Sequence, residues 1–114
     1  MLPLEGILVV GLEQAVSAPH CTRQLVDLGA RVIKIEASSG DTARDYDDAV
    51  GEVSAYFAWT SRGKESAVFD LKSDEGRELM ERLLAKADVL VQNLAPGSAQ
   101  RLGLDAESAV ARHP

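Results

Sequence analysis

A single cysteine, Cys21, is all that the 114 residues hold. No disulfide can therefore form within the chain, and nothing points to the oxidising compartments where such bridges persist, so the cytoplasm is the expected location. Histidine is nearly as scarce, with two residues. No set of His, Cys and carboxylate residues has metal-ligand spacing, and no metal is expected. Asp41, Asp45, Asp47 and Asp48 form an acidic run without the spaced ligands and glycine of a calcium loop, and solvation is its expected state. No apolar run approaches about 18 residues, and the opening Met1–Gly6 lacks the basic and long apolar regions of a signal peptide. A soluble chain with no membrane association is expected. Basic residues are outnumbered, 12 Lys plus Arg against 18 Asp plus Glu, for a net charge of -6. That balance disfavours nucleic acid and anionic membranes as partners, and a phosphorylated ligand would need a local basic cluster. After Gly11 the residues Leu12 to Pro19 contain none of the further glycines of a dinucleotide-binding turn, and a phosphate-loop lysine is missing. Glu13 alone does not make the clustered acidic pocket of a phospho-acceptor domain.

What is present is an ordinary globular composition, 46% hydrophobic and 26% charged, enough for one small domain. Gly6–Leu12 is an apolar, β-branched run without alternation, which suits a central parallel strand covered on both faces. Pro19 stands near the start of a helix whose core face is expected at Cys21, Leu25 and Leu28, with His20, Arg23 and Asp27 outward and Gly29 at its end. Arg31–Glu36 is the second strand, completing a right-handed βαβ unit. Ala37–Gly51 reads as a loop over the strand ends, and Ser54–Thr60, with Tyr56, Phe57 and Trp59, as a short packed helix. A third strand is expected over Ser66–Leu71. Ser73 then caps a helix with Asp74 and Glu75 in its first turn and an apolar face of Leu79, Met80, Leu83, Leu84 and Ala87. Glu78 and Arg82 are spaced for an ion pair on that helix worth about 0.3 kcal/mol. Asp88–Asn93 is the fourth strand, followed by short helices near Ser98–Leu102 and Ala106–Arg112. The fold class is α/β, a Rossmann-like parallel sheet with flanking helices.

In such a sheet, ligands sit at the carboxyl ends of the strands. Three strand-end turns are candidates to meet there: Gln14–Pro19, Ala37–Arg44, and Asn93–Gly97, where a buried-looking strand runs through Gln92 and Asn93 into Ala95-Pro96-Gly97 and a short basic helix; solvated lysines and arginines are the alternative. Lys72 and Arg101 would supply the positive charge a phosphorylated ligand needs. His20, alone on its helix, reads as a surface or capping residue rather than a general base, and Cys21 as inert packing.

Taken together, five segments carry a resemblance. They are Leu4-Glu5-Gly6-Ile7-Leu8-Val9-Val10 with Ala18-Pro19, Leu28-Gly29-Ala30-Arg31-Val32-Ile33-Lys34-Ile35-Glu36, Gly40-Asp41 with Arg44, Arg62-Gly63-Lys64-Glu65-Ser66 with Asp70-Leu71-Lys72, and Ala87 to Gly97 with Arg101-Leu102-Gly103-Leu104. The set resembles the family III CoA-transferases of the CaiB/BaiF type, which include formyl-CoA:oxalate and carnitine CoA-transferases and the α-methylacyl-CoA racemases. Essentially the whole chain is covered. The resemblance implies that residues 1–114 are the N-terminal part of the CoA-binding large domain of a longer enzyme. Coenzyme A or acyl-CoA would be a substrate, not a permanently bound cofactor, with a carboxylic acid as the other substrate. It further implies that Val16, Ser17 and Ala18 together with Leu71 and Lys72 line the nucleotide end of the CoA site, that Asn93 and Leu94 lie under the pantetheine, and that Arg101 is near a phosphate. Ala18 stands where glycine is common, Ser61 where asparagine is usual, and Ala37 where many members have arginine. The family's transferases use an aspartate nucleophile that forms aspartyl-CoA. That residue is expected beyond residue 114, so the 114 residues alone are expected to be inactive and the full-length enzyme to form an interlocked homodimer. A racemase of the same fold, or a non-catalytic CoA- or nucleotide-binding module, are the alternative readings.

Overall fold

The structure, a computed structural model, describes residues 1–114. β1 (Leu8–Leu12) lies between two partners, pairing in parallel with β2 (Arg31–Glu36) at Val9↔Val32 and with β4 (Val89–Gln92) at Val9↔Val89. β3 (Glu65–Val68) adds to the far side of β2, in register Ile33↔Glu65, so the strand order is β3-β2-β1-β4. This is the order of the first four strands of a doubly wound sheet. The apolar run of β1 is central, as its composition requires.

Successive strand side chains point to opposite faces, and this alternation sorts the core into two layers. On one face Val10, Leu12 and Ile35 pack against Met80 and Leu84 of α3 (Asp74–Leu84), with Leu104 completing the cluster. On the other, Val9, Ala30 and Val32 pack against Leu25 and Val26 of α1 (Ser17–Asp27). The parity that sends Val32 toward α1 also sends Lys34 and Glu36 there, into the interior at the end of β2.

Several boundaries differ from the sequence expectation. The buried face of α1 is Ala18, Pro19 and Thr22, while Cys21 is exposed and Leu28 is 44% exposed. The expected stripe is displaced by one residue, about 100° around the helix. Hydrophobicity named Cys21, but Thr22 is the residue that a buried carboxylate needs as a hydroxyl donor. Gly29 ends α1 with φ 106°, as expected. β3 stops at Val68: the Phe69 amide still reaches the Glu36 carbonyl at 3.2 Å, but Asp70 and Leu71 already belong to a turn. β4 is likewise trimmed at both ends, where the amides of Asp88 and Asn93 still bond Leu8 and Leu12. In α3 the Ser73 cap forms, accepting from the Gly76 amide at 2.9 Å. Leu79 is 46% exposed, so the face rests on Gly76, Met80 and Leu84. Glu78 and Arg82 do not pair; the ion pair of α3 runs from Glu81 to Arg112, 2.8 Å away in α5 (Ala106–Arg112).

Two further helices finish the chain's layers. α2 (Ala55–Ser61) starts at Ser54, whose hydroxyl accepts from the Phe57 amide and donates to the Ala43 carbonyl. α4 (Ser98–Leu102) follows the turn after β4. No helix is long and apolar enough to cross a membrane.

Candidate functional site

Every strand runs the same way, so the carboxyl ends of β1, β2 and β3 and the turn after β4 meet on one edge. A cleft of about 650 Å³ opens there, lined by Glu13 and Gln14 after β1, Glu36 to Asp41 after β2, Phe69 to Lys72 after β3, and Leu94 and Leu102 from the β4 side. The lining mixes apolar side chains such as Leu12, Ile35, Phe69 and Leu94 with polar residues including the Ser38-Ser39-Gly40 turn. Such a mixture suits a ligand with an apolar body and a few polar anchoring groups.

The expected site residues divide into three groups. Leu71, Lys72 and Leu94 line the cleft itself. Asn93 is beside it and is committed to the backbone: its Oδ1 accepts from the Gln14 amide at 2.9 Å, and its Nδ2 donates to the Gln14 carbonyl at 2.8 Å and to Ser17 Oγ at 3.1 Å. This fastens the end of β4 to the loop Val16-Ser17-Ala18, in which Ser17 is exposed and Ala18 buried. Arg101 lies outside the cleft lining, exposed, and turns back on its own helix to donate to Ser98 Oγ at 3.0 Å.

Behind the cleft lies a feature that spacing did not reveal. The side chains of Glu13, Lys34, Asp41 and Lys64 are each at most 2% exposed. Their charges balance, two positive against two negative. Lys34 Nζ donates to Asp41 Oδ2 at 2.7 Å and to the Glu13 carbonyl at 3.3 Å, and Lys64 Nζ donates to Glu13 Oε1 at 2.6 Å and to the Pro19 carbonyl at 2.9 Å. Thr22 fills the remaining position on Glu13 with a 2.5 Å hydroxyl bond. A Cβ at Gly11 would come within 2.7 Å of Glu13 Oε2, so glycine in β1 is what lets the carboxylate fold back over the strand. Buried charges survive only when paired and hydrogen-bonded, and each of these is.

Asp41 is thus buried, not solvated as its place in an acidic run suggested. Its Oδ1 accepts from two amides, Ala43 at 2.9 Å, which caps the 3₁₀ turn Thr42–Asp45, and Ala15 at 3.0 Å. Ala15 has φ 61°, the one non-glycine residue of the chain in the left-handed region. That conformation costs about 1 to 2 kcal/mol outside glycine. Next to Asp41, Glu36 makes a two-pronged ion pair with Arg44, 3.0 Å to Nε and 2.7 Å to Nη2, and accepts from Ser66 Oγ and the Asp41 amide. Arg44 in turn stacks over Phe57 of α2, 3.9 Å from the ring centre.

Burial pulls the Asp41 carboxyl upward, but the Lys34 ammonium and the amides of Ala15 and Ala43 outweigh it and hold the group below the ordinary carboxylate value. Glu36 behaves alike: burial opposes ionisation, and Arg44, Ser66 and the Asp41 amide overcome it. For Lys64 burial prevails over the attraction of Glu13 and lowers the ammonium below its usual range. A signal for this cluster existed in the sequence. β2 is an inner strand, and Lys34 and Glu36 alternate with Ile33 and Ile35, so both must be buried and need partners.

The model of CoA-transferase family III matches residues 4–114. An acetyl-CoA:oxalate CoA-transferase of Acetobacter aceti is 42% identical over 113 residues, which are 98% of this chain and 29% of that protein. A succinate–glutarate CoA-transferase of Agrobacterium fabrum is 40% identical over 114 residues, 93% of this chain and 28% of that protein. Among solved structures, a CaiB/BaiF family protein from Brucella suis superposes with a TM-score of 0.89 at 42% identity, covering 99% of this chain and 31% of that one. A hypothetical protein from Mycobacterium tuberculosis gives 0.90 at 37% identity, over 100% and 32% respectively. The chain spans less than a third of the length of each of these relatives.

Proposed function

Because the chain belongs to CoA-transferase family III, as the match over residues 4–114 establishes, we propose that the intact protein moves coenzyme A between carboxylic acids. The cleft at the strand ends is the proposed seat of part of the CoA molecule. Leu71 and Lys72 would take its nucleotide end, with Val16-Ser17-Ala18 beside the cleft lining completing that end, Asn93 and Leu94 would lie under the pantetheine, and Arg101 would swing from Ser98 to a phosphate. The observation that carries this reading is the cleft that Leu71 and Lys72 after β3 and Leu94 after β4 line together. The curated relatives named above are transferases, which favours acyl exchange over the proton shift of a racemase.

The two aspartates nearest the cleft are committed to structural contacts. Asp41 is locked to Lys34, and Asp70 accepts from the Lys72 amide to shape a turn. In the proposed reading, as the family resemblance implies, the nucleophile is an aspartate outside these 114 residues. Its carboxylate attacks the acyl-CoA carbonyl, expelling CoA thiolate and forming a mixed anhydride. The thiolate then attacks the aspartyl carbonyl, releasing the first acid as carboxylate and leaving aspartyl-CoA; a second carboxylate reverses both steps. The interlocked homodimer and the cytoplasm are the proposed assembly and location.

The test is calorimetric titration of the full-length enzyme with CoA. Lys72→Ala and Arg101→Ala should each weaken binding by roughly 1 to 3 kcal/mol, about 5- to 150-fold, with the loss shrinking at high salt. Arg82→Ala, exposed on α3, serves as control. Equal CoA affinity in all three variants and the parent would remove these residues from the site.

A further inference from the structure

The segment Gln14–Ala18 leaves β1 at the mouth of the cleft and runs into the first turn of α1, and it holds an alanine where glycine is the natural occupant. Nothing within the loop itself accounts for that conformation. Two contacts from distant parts of the chain do. Asn93 binds the amide and carbonyl of Gln14, and Asp41 Oδ1 accepts from the very next amide, Ala15. Asp41 is in turn immobilised from its other oxygen by Lys34, itself fixed in the inner strand β2. A buried ion pair ordinarily adds little net stability compared with apolar residues of the same volume, so stability alone is a poor reason for this one. What it does supply is a carboxylate oxygen held in a fixed place under a strained backbone amide.

We infer that Asp41, fixed by Lys34, is a positioning residue that sets the β1–α1 loop in its CoA-accepting shape before the ligand arrives. The inference rests on the placement of CoA proposed above. A loop that is already ordered loses less freedom on binding, so the anchor acts on affinity without touching the ligand. Lys64 and Thr22 serve the same loop from behind, since their bonds to Glu13 and Pro19 fix its two ends.

The test compares two double variants of the full-length enzyme that carry the same charge. Asp41→Ala with Lys34→Met removes the ion pair and the anchor together. Asp41→Asn with Lys34→Met removes the ion pair but keeps a side-chain oxygen that accepts from the Ala15 amide. Neither leaves a buried charge without its partner in the pair, the change that most endangers folding. CoA titration should find the alanine form about tenfold weaker than the asparagine form, which keeps the side-chain oxygen that the Ala15 and Ala43 amides bond. Hydrogen exchange of the segment Glu13–Pro19 should be faster in the alanine form alone. Equal affinity and equal exchange in the two forms would overturn the inference. Leu84→Ala, a core change at the C-terminal end of α3 beside a groove whose residues do not line the cleft, should lower stability without altering CoA affinity; a matching loss of affinity there would show that softening the fold suffices and would overturn it too. If the parent itself fails to bind CoA, the placement of the ligand falls, while exchange at Ala15 still decides whether Asp41 anchors the loop.

Discussion

Glu36 and Asp41 give the folded chain a dependence on acid whose sign is fixed by their partners. Each carboxyl is held below its ordinary value, Glu36 by Arg44 and Asp41 by Lys34, in both cases against burial. The unfolded chain therefore takes up protons first. Their contribution to stability is present above the unfolded carboxylate range near pH 4 and is lost as the pH falls through the folded values. Thermal melts of the protein should fall steeply below about pH 4, and Glu36→Gln should melt lower at neutral pH but with a shallower acid slope. A variant with the parent's slope would show that Glu36 is not among the groups that titrate. At this scale the sequence was least legible. Asp41 looked like one of several solvated aspartates because its partner is seven residues upstream on another element, and proximity in space is not written in spacing. Cys21 and Leu79 were misplaced for the opposite reason: side-chain hydrophobicity was read as burial, whereas Thr22 and Gly76 occupy those inner positions for contacts that hydrophobicity does not encode.

At the scale of elements the chain was far more legible, since caps and periodic apolar runs are local signals. α4 and α5 fall at their expected bounds, Ser73 caps α3 as expected, and the helix expected over Ser54–Thr60 forms one residue later with Ser54 as its cap. The junction of β3 and α3 shows what local signals omit. A Cβ at Gly76 would lie 1.7 Å from the Asp70 carbonyl oxygen, a contact with backbone that cannot yield without moving the Asp70-Leu71-Lys72 turn. Helix propensity favours alanine over glycine by about 1 kcal/mol, yet here Gly76→Ala should destabilise by roughly 2 kcal/mol or more. Urea unfolding of the variant decides the matter, and a gain in stability would mean the turn is free to shift. The ends of β3 were misjudged because Phe69-Asp70-Leu71 has strand composition but is drawn away by Ser73, which donates to the Asp70 carbonyl at 2.8 Å.

For the molecule as a whole, the sheet has two open edges, β3 and β4, and the β4 edge borders an apolar groove. β4 pairs only with β1, and beside it a groove of about 460 Å³ is bounded by Leu84, Val89, Leu90, Leu104 and Val110. Val89 is 40% and Val110 62% exposed. An open strand edge next to apolar surface is a recognised route to association. Residues 1–114 produced alone should therefore sediment as oligomers, increasingly so with concentration. A monomer over a wide concentration range would count against that expectation.

The central position of β1 also orders events during synthesis. Leu8 is bonded through its amide to Asp88, 80 residues later. At about 5 to 20 residues per second, a ribosome needs roughly 4 to 16 seconds to cover that interval. β1, α1 and β2 can assemble within it, because their contacts are local. Throughout that time the most apolar strand of the protein has one flank without a neighbour. A nascent chain slowed between β2 and β4 would display Val9, Val10 and Leu12 beside a bare edge, so translation speed across residues 37–88 sets how long chaperones must shield it.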